Sequence, residues 1–573
     1  MIDVERNWKF GIFILLLSSR IIAALLSNIQ DCDEVFNYWE PLHYYQYSFG
    51  FQTWEYVRKY SLRSWTYILF HHLLSLPAEL FSTSVSIIFP QVIESILSTI
   101  SEFALVYSIK KNINATVGNY TFIFLLFSPG MFISSTAFLP SSFGMYALTI
   151  AYALNMYPVT KFRIFFCIFF VTLGGVWGWP FCLGIALLYI VQYAVQNMLV
   201  KHIKWMIFSG IISVLLLVVP LLLIDSIFYS NWTLPPLNLI LYNVFGDENR
   251  GPDLYGTEPW WFYITNGILN FNIVFLIALA TIPVMGLYYL ISNQFKYKVL
   301  FWNTLPFYYY LFIFSLQPHK EERFMSIMFP LVCFNAAVTL HLVTLIIEQM
   351  FLNTKQLRGY SFQFSNLIRV VFITSFIIIS SLRVFAIYKF YHSSITIFTH
   401  LEYLNPTNTT MNVCIGKEWY RFPSHYHLPN NLQLKFIKSN FNGLLPTYFN
   451  EGSHHISLMI GNNTTSNEWI NKLKNHQNGY STAPSRVNDL NQPEPDRYVN
   501  IDQCQFLIDS SPPNPDINVE DQLEPFYGLQ QAWKEVKCLP FLDTVKTKFP
   551  ARSFYLGNEK HWMKYCIYQS QHE

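Results

Sequence analysis

The residues best suited to chemistry near the start of the chain are Asp31-Cys32-Asp33-Glu34-Val35-Phe36-Asn37-Tyr38-Trp39-Glu40-Pro41. Four carboxylates stand within ten residues, directly after an apolar run, with Tyr, Trp and Asn among them. A carboxylate at a membrane boundary can take the proton of a sugar hydroxyl; the same residues also read as the solvated start of a loop. Asp31-Cys32-Asp33 spells a DxD pattern, which can hold Mg²⁺. A second cluster is Gln317-Pro318-His319-Lys320-Glu321-Glu322-Arg323-Phe324. Arg grips phosphate oxygens bidentately and Lys adds a point charge, so His319, Lys320 and Arg323 read as a phosphate clamp that Glu321 and Glu322 orient. The alternative is a wetted loop with internal ion pairs. A third stretch runs from Asn243-Val244-Phe245-Gly246 to Gly251-Pro252-Asp253-Leu254-Tyr255-Gly256-Thr257-Glu258-Pro259-Trp260-Trp261. Asp253, Tyr255, Glu258 and Trp260 suit sugar hydroxyls and ring faces, or a turn-rich loop with interfacial Trp anchors. Arg58 and Arg63 suit phosphate, either of a substrate or of lipid headgroups.

These clusters need a scaffold, and the composition says which kind. Of 573 residues 52% are hydrophobic and 13% charged, where a soluble domain carries about 25% charge. The chain is therefore expected to be a polytopic α-helical membrane protein. A net charge of +2 without a basic face excludes nucleic acid as a partner. Eight cysteines without a CxxC pattern exclude a metal cluster.

About 20 apolar residues cross a hydrocarbon core, and the apolar runs give about 11 spans: 9–27, 85–109, 120–136, 142–159, 162–176, 181–200, 205–228, 263–291, 299–316, 325–350 and 367–391. The first reads as a retained span rather than a cleaved leader. Arg20 within it must face the bundle interior or snorkel, and Glu94 and Glu102 in the second read as functional acids or as partners of a buried cation. Basic residues at Lys110-Lys111, Lys161, Arg163, Lys201, Lys204, Lys296, Lys298, Lys355 and Arg358 fall on one side with the N-terminus, the cytosolic side by the positive-inside rule. The loops 28–84, 229–262 and 317–324 then face the opposite side, with everything after 391. The sequons at Asn231, Asn408, Asn462 and Asn463 fall there too.

Residues 1–391 thus form a membrane-embedded domain. Residues 392–573, richer in Asn, Pro and charge, form a small α+β domain on the non-cytosolic side. Cys32, Cys414, Cys504, Cys538 and Cys566 share that side, so one or two disulfides are expected, with the pairing open. A multi-span transporter is the rival class, but it would bring internal repeats, and none is visible.

DCDEVFNYWEPLHYYQYSFGFQTWEY, the HKEERF loop and GPDLYGTEPW resemble the dolichol-pathway and glycosylphosphatidyl mannosyltransferases of glycosyltransferase family 22. AFLPSSFGMYAL at 137–148, GWPF at 178–181 and VCIGKEWYRFPSHYHLP at 413–429 match as well, so the likeness covers most of the chain and thins after about 505. The resemblance implies a GT-C fold in the endoplasmic-reticulum membrane. It implies dolichyl-phosphate-mannose as donor and a dolichyl-pyrophosphate-linked high-mannose oligosaccharide as acceptor, extended in α-1,2 linkage at its seventh and ninth mannoses. Sister α-1,6 and glycolipid-anchor enzymes are the nearest alternatives. Inversion at the anomeric carbon implies one displacement. Asp33 is then the first choice of base and Glu34 the second, with His319, Lys320 and Arg323 on the leaving phosphate and no metal or other cofactor. Lys417, Trp419 and Arg421 are expected to grip the acceptor glycan, and membrane lipids complete the set of partners.

Overall fold

The computed structural model describes residues 2–79, 83–246, 250–292, 298–353, 358–404, 410–429, 431–449, 487–513 and 523–571. Asn408, Asn462 and Asn463 lie outside the described residues; Asn231 is exposed at the end of a helix. The chain divides into two compact units. One holds the residues up to Leu25, Gln91–Pro220 and Tyr255–Val384. The other holds Leu26–Pro90, Leu221–Leu254 and Phe385–Glu573.

The first unit is helical. Among the described residues six helices are long and apolar enough to cross a bilayer, within Asn7–Leu26, Phe89–Asn112, Lys161–Gly178, Leu199–Tyr229, Glu322–Leu352 and Ser361–Tyr391; the last turns of Leu199–Tyr229 and of Ser361–Tyr391 belong to the second unit. A bent pair, Ile273–Leu279 and Thr281–Ser292, makes a seventh if taken as one span. The expected count of about 11 is not reached by this measure, because several apolar runs are broken. The run 120–136 splits into Ala115–Phe127 and Pro129–Ser134, since Ser128 before a proline is held extended. The run 263–291 stops at Asn272, whose φ of 43° ends one helix while its side chain caps the next. The charge in the first helix is paired: Arg20 donates to Glu102 through Nε and Nη2, both at 2.8 Å, and to the Leu125 carbonyl at 2.6 Å. Both side chains are fully buried, so Glu102 is the structural partner of Arg20.

The second unit is built on a five-stranded mixed sheet in the order β3-β2-β5-β7-β6. The strands are β2 (Met411–Ile415), β3 (Leu432–Phe436), β5 (Phe506–Ser511), β6 (Trp533–Leu542) and β7 (Trp562–Ser570). β3, β2 and β5 run parallel, and β5, β7 and β6 antiparallel. Val413, Cys414 and Ile415 are buried without alternation, as a strand covered on both faces requires. Disulfides join Cys414 to Cys504 and Cys538 to Cys566, the latter across the β6–β7 pair. β1 (Phe51–Gln52), from the early loop, pairs antiparallel with β4 (Thr447–Tyr448). Val35, Phe36 and Phe51 share one core with Val413, Ile415, Phe422 and Ile508. The acidic stretch is therefore packed onto the sheet.

Candidate active site

The four carboxylates of the acidic run have four different environments. Asp31 is extended, and its side chain accepts from the Asp33 N–H, capping the short turn Cys32–Glu34. A π-helical turn, Val35–Trp39, follows and feeds the helix Glu40–Tyr47. The Asp33 side chain is 36% exposed and lies 3.8 Å from Arg63. Glu34, only 3% exposed, accepts from the Trp39 indole at 3.1 Å. Of the two, Asp33 is the more exposed carboxylate.

Arg63 is the hub beside it. It donates to Glu55 at 2.8 Å and to the Tyr38 hydroxyl at 2.7 Å, while its backbone carbonyl accepts from Tyr229 at 2.6 Å. Its tie to Asp33, at 3.8 Å, is longer than its tie to Glu55, at 2.8 Å. Asp225, fully buried, accepts from the Ser64 hydroxyl at 2.7 Å and the Thr66 N–H at 2.9 Å, fixing the segment that follows Arg63. Arg58 is exposed and outside this network.

Glu40 is wholly buried and saturated. It accepts from the His425 N–H at 2.7 Å, from His425 Nδ1 at 2.6 Å and from the Phe51 N–H at 2.8 Å. The His425 Nε2 donates to the Tyr448 hydroxyl at 2.7 Å, which donates to the Leu434 carbonyl at 3.0 Å. Burial alone would raise the Glu40 pKa, but the charge of His425 and its hydrogen bonds outweigh it and hold the carboxyl at about 2. Neighbouring His43 is kept neutral, its pKa pushed down to about 4 by burial and by His425. Glu40 is therefore a structural anion.

The segment expected to grip sugar does packing work. Trp419 stacks against Phe36 with centroids 6.1 Å apart, and against Phe441 at 4.6 Å. Arg421 pairs with buried Glu418 and covers the Phe541 ring at 4.5 Å, and Lys417 pairs with buried Asp509 at 3.2 Å. Burial lifts Asp509 to about 7 against the pull of Lys417. Trp419 thus ties this segment to the acidic turn through Phe36.

In the first unit, the loops 256–259 and 317–320 are tied together. The Glu258 N–H donates to the Pro318 carbonyl at 3.0 Å, and Lys320 donates to the carbonyls of Glu258 (2.6 Å) and Gln317. Lys320 is only 6% exposed, so its charge is spent on carbonyls of its own loops. His319 Nδ1 donates to the Gly256 carbonyl at 2.8 Å and Nε2 to Glu321 at 3.1 Å. Burial opposes charging of His319, but these two acceptors prevail and raise its pKa, as two donating ring nitrogens require. Glu321 also pairs with Arg323, giving a His319–Glu321–Arg323 triad of alternating charge. Glu322 points elsewhere, accepting from Asn270 at 2.6 Å. Tyr255, Glu258 and Trp260 have exposed side chains, and Asp253 is exposed in the turn Pro252–Tyr255.

Sequence reasoning missed Glu55, Asp225 and His425. Asp225 carries no local signature, and Glu55 lies inside the first quoted motif with nothing there that points to its partner Arg63. His425 lies inside a quoted motif, but its partner Glu40 is 385 residues away. The ligand atoms of Asp31, Cys32 and Asp33 lie within 4.8 Å of one another, and one Asp31 oxygen is engaged in capping Asp33.

Residues 11–429 match the model of the Alg9-like mannosyltransferase family. The chain is 36% identical to the alpha-1,2-mannosyltransferase alg9 of Schizosaccharomyces pombe, across 99% of this chain and 95% of that protein. It is 37% identical to the alpha-1,2-mannosyltransferase ALG9 of Homo sapiens, across 94% of this chain and 85% of that protein. Among solved structures, ArnT from Cupriavidus metallidurans bound to undecaprenyl phosphate superimposes with a TM-score of 0.50 at 9% identity, covering 75% of this chain and 86% of that one. That likeness concerns the fold, a GT-C membrane glycosyltransferase bundle. With the family pattern running from the first helix through the segment that anchors the acidic turn, this chain belongs to the Alg9-like mannosyltransferase family.

Proposed function

We propose that this chain transfers mannose from dolichyl-phosphate-mannose, in α-1,2 linkage, to a dolichyl-pyrophosphate-linked high-mannose oligosaccharide in the endoplasmic reticulum. The observation that carries this reading is identity of 36–37% along nearly the whole chain to proteins named alpha-1,2-mannosyltransferases. In this reading the N-terminus is cytosolic and the sheet of 392–573 is lumenal. Residues 1–391 carry the chemistry, and 392–573 hold the acidic turn in place.

Asp33 is assigned as general base. The acceptor 2-hydroxyl attacks the anomeric carbon and its proton passes to the Asp33 carboxylate. The bond to phosphate breaks and dolichyl phosphate leaves with the electron pair, inverting β to α. Glu34 is assigned to holding Trp39 rather than to proton transfer, because it is buried and already bonded. Arg63, fixed by Glu55 and Tyr38, places positive charge beside the Asp33 carboxylate. Phosphate needs fixed positive charge more than it needs a proton donor. The His319–Glu321–Arg323 triad suits that role, with Lys320 locking the loop that carries it. Tyr255, Glu258 and Trp260 are open to a sugar, as is Asp253.

The test is transfer by purified enzyme from synthetic donor to lipid-linked acceptors of defined mannose number, followed by linkage analysis, with and without a chelator. A new α-1,2 mannose, formed at an unchanged rate in chelator, is expected. An α-1,6 product, or loss of rate restored by Mg²⁺, would overturn the reading.

A further inference from the structure

The β6–β7 hairpin ends in a long loop, residues 543–561, that none of the chemistry above uses. The loop has a built shape. The Asp543 carboxylate accepts from the N–H groups of Val545 and Lys546, both at 3.0 Å. Thr547, fully buried, accepts from the His561 N–H at 3.0 Å and closes the neck. What this frame turns outward is apolar and basic. Val545 is 79% exposed, Phe549 70% and Leu556 42%. Lys546, Lys548 and Arg552 are exposed beside them, and Lys560 lies over the Tyr555 ring at 4.5 Å. Among the described residues none of these four cations makes an ion pair. Glu559 is the one exposed acid of the loop.

The position of the loop is fixed by the last turns of the helix Ser361–Tyr391. Tyr555 packs on Phe385 and Phe390 with centroids 4.7 and 5.7 Å apart, and Trp562 packs on Phe390 at 5.8 Å. That helix has 31 residues, so it is about 46 Å long at 1.5 Å per residue. The hydrocarbon core is about 30 Å thick, leaving roughly 8 Å of helix at each end among the headgroups. At 1.5 Å per residue that is about five residues, Ile387–Tyr391, with Phe385 at the hydrocarbon boundary. The loop clamped to it lies at headgroup depth, beside the exposed Phe385 of the same helix.

An apolar tip flanked by cations at that depth matches the surface of a bilayer bearing negative phosphates. We propose that residues 543–561 form a membrane anchor. Val545, Phe549 and Leu556 enter the interfacial layer, and Lys546, Lys548 and Arg552 sit on phospholipid phosphates. The anchor pins the sheet, and with it the acidic turn packed on the sheet, to one depth above the membrane.

The experiment uses the full-length enzyme in nanodiscs of phosphatidylcholine alone, or of phosphatidylcholine and phosphatidylserine at a 3:1 ratio. A nitroxide is placed through V545C or F549C, each alone, with L529C on the exposed turn before β6 as the water-facing control. At 545 and 549 collisions with oxygen are expected to exceed those with a water-soluble nickel chelate, and the reverse at 529. Replacing Lys546, Lys548 and Arg552 by Glu is expected to lower the docked-to-undocked ratio in anionic discs by about fivefold or more per cation lost. Nickel access at 545 and 549 equal to that at 529 overturns the proposal. So does protection from both reagents, which would mark a protein partner or a second copy. A docked ratio unmoved by the charge changes removes the phosphate part. Because the readout is depth, failure here leaves the transferase reading standing.

Discussion

His425→Ala tests whether the acidic turn is held from the distant sheet. The substitution removes the Nδ1–H bond to Glu40 and the Nε2 link to Tyr448, leaving a fully buried carboxylate without its cation. The Glu40 carboxyl falls from 4.5 to about 2 in the folded chain, which at 1.36 kcal/mol per pKa unit corresponds to about 3 kcal/mol. Breaking a buried pair from one side costs about 3–5 kcal/mol, whereas replacing both partners by apolar residues often costs little. His425→Ala should therefore destabilise the enzyme by about 3 kcal/mol, and the paired change E40L/H425F by clearly less. Because the pKa is depressed on folding, this stabilisation is complete above about pH 4.5. It fades as pH drops through about 2, so the single variant and the parent should converge in that acid window. The assay is urea unfolding of the enzyme in nanodiscs, followed by tryptophan fluorescence at neutral pH and at pH 3. A loss below about 1 kcal/mol for His425→Ala, or a double variant no better than the single, would refute the reasoning.

Two further outcomes concern the first unit. Arg323→Ala should lower kcat/KM for the lipid-phosphate donor by about tenfold or more, and Arg323→Lys should recover only part of it, because a fork and a point charge hold phosphate differently; an unchanged rate removes the clamp. The raised pKa of His319 means its cation persists to higher pH than an ordinary imidazole. Donor affinity should therefore be full at low pH and fall as pH rises through that raised value, and His319→Gln should flatten the profile.

The acidic run and the HKEERF loop were legible because charge beside an apolar helix is conspicuous in sequence. Their division of labour was not, because burial decides it. Asp33 and Glu34 are neighbours of the same chemical type, yet one opens to solvent and the other closes on Trp39. Glu40 looked like part of the same patch, and only its partner in a strand-flanking turn near residue 425 makes it structural. Lys417, Trp419 and Arg421 read as glycan ligands because Trp and cations suit sugars; the same types suit inner ion pairs and ring stacking, which is where they are found. Lys320 read as a phosphate ligand and is turned onto carbonyls, which no spacing rule reveals. Apolar runs gave the membrane class correctly, but counting them overlooked the breaks at Ser128-Pro129 and Asn272.

The most direct test of the account is Asp33→Asn in the purified enzyme, with turnover and donor affinity measured separately. Loss of a general base should lower kcat by about 10²–10⁴-fold while donor affinity stays at the parent value, and Glu34→Gln should cost far less turnover. Near-normal turnover in Asp33→Asn, or a larger loss in Glu34→Gln, would contradict the assignment of the reaction's base.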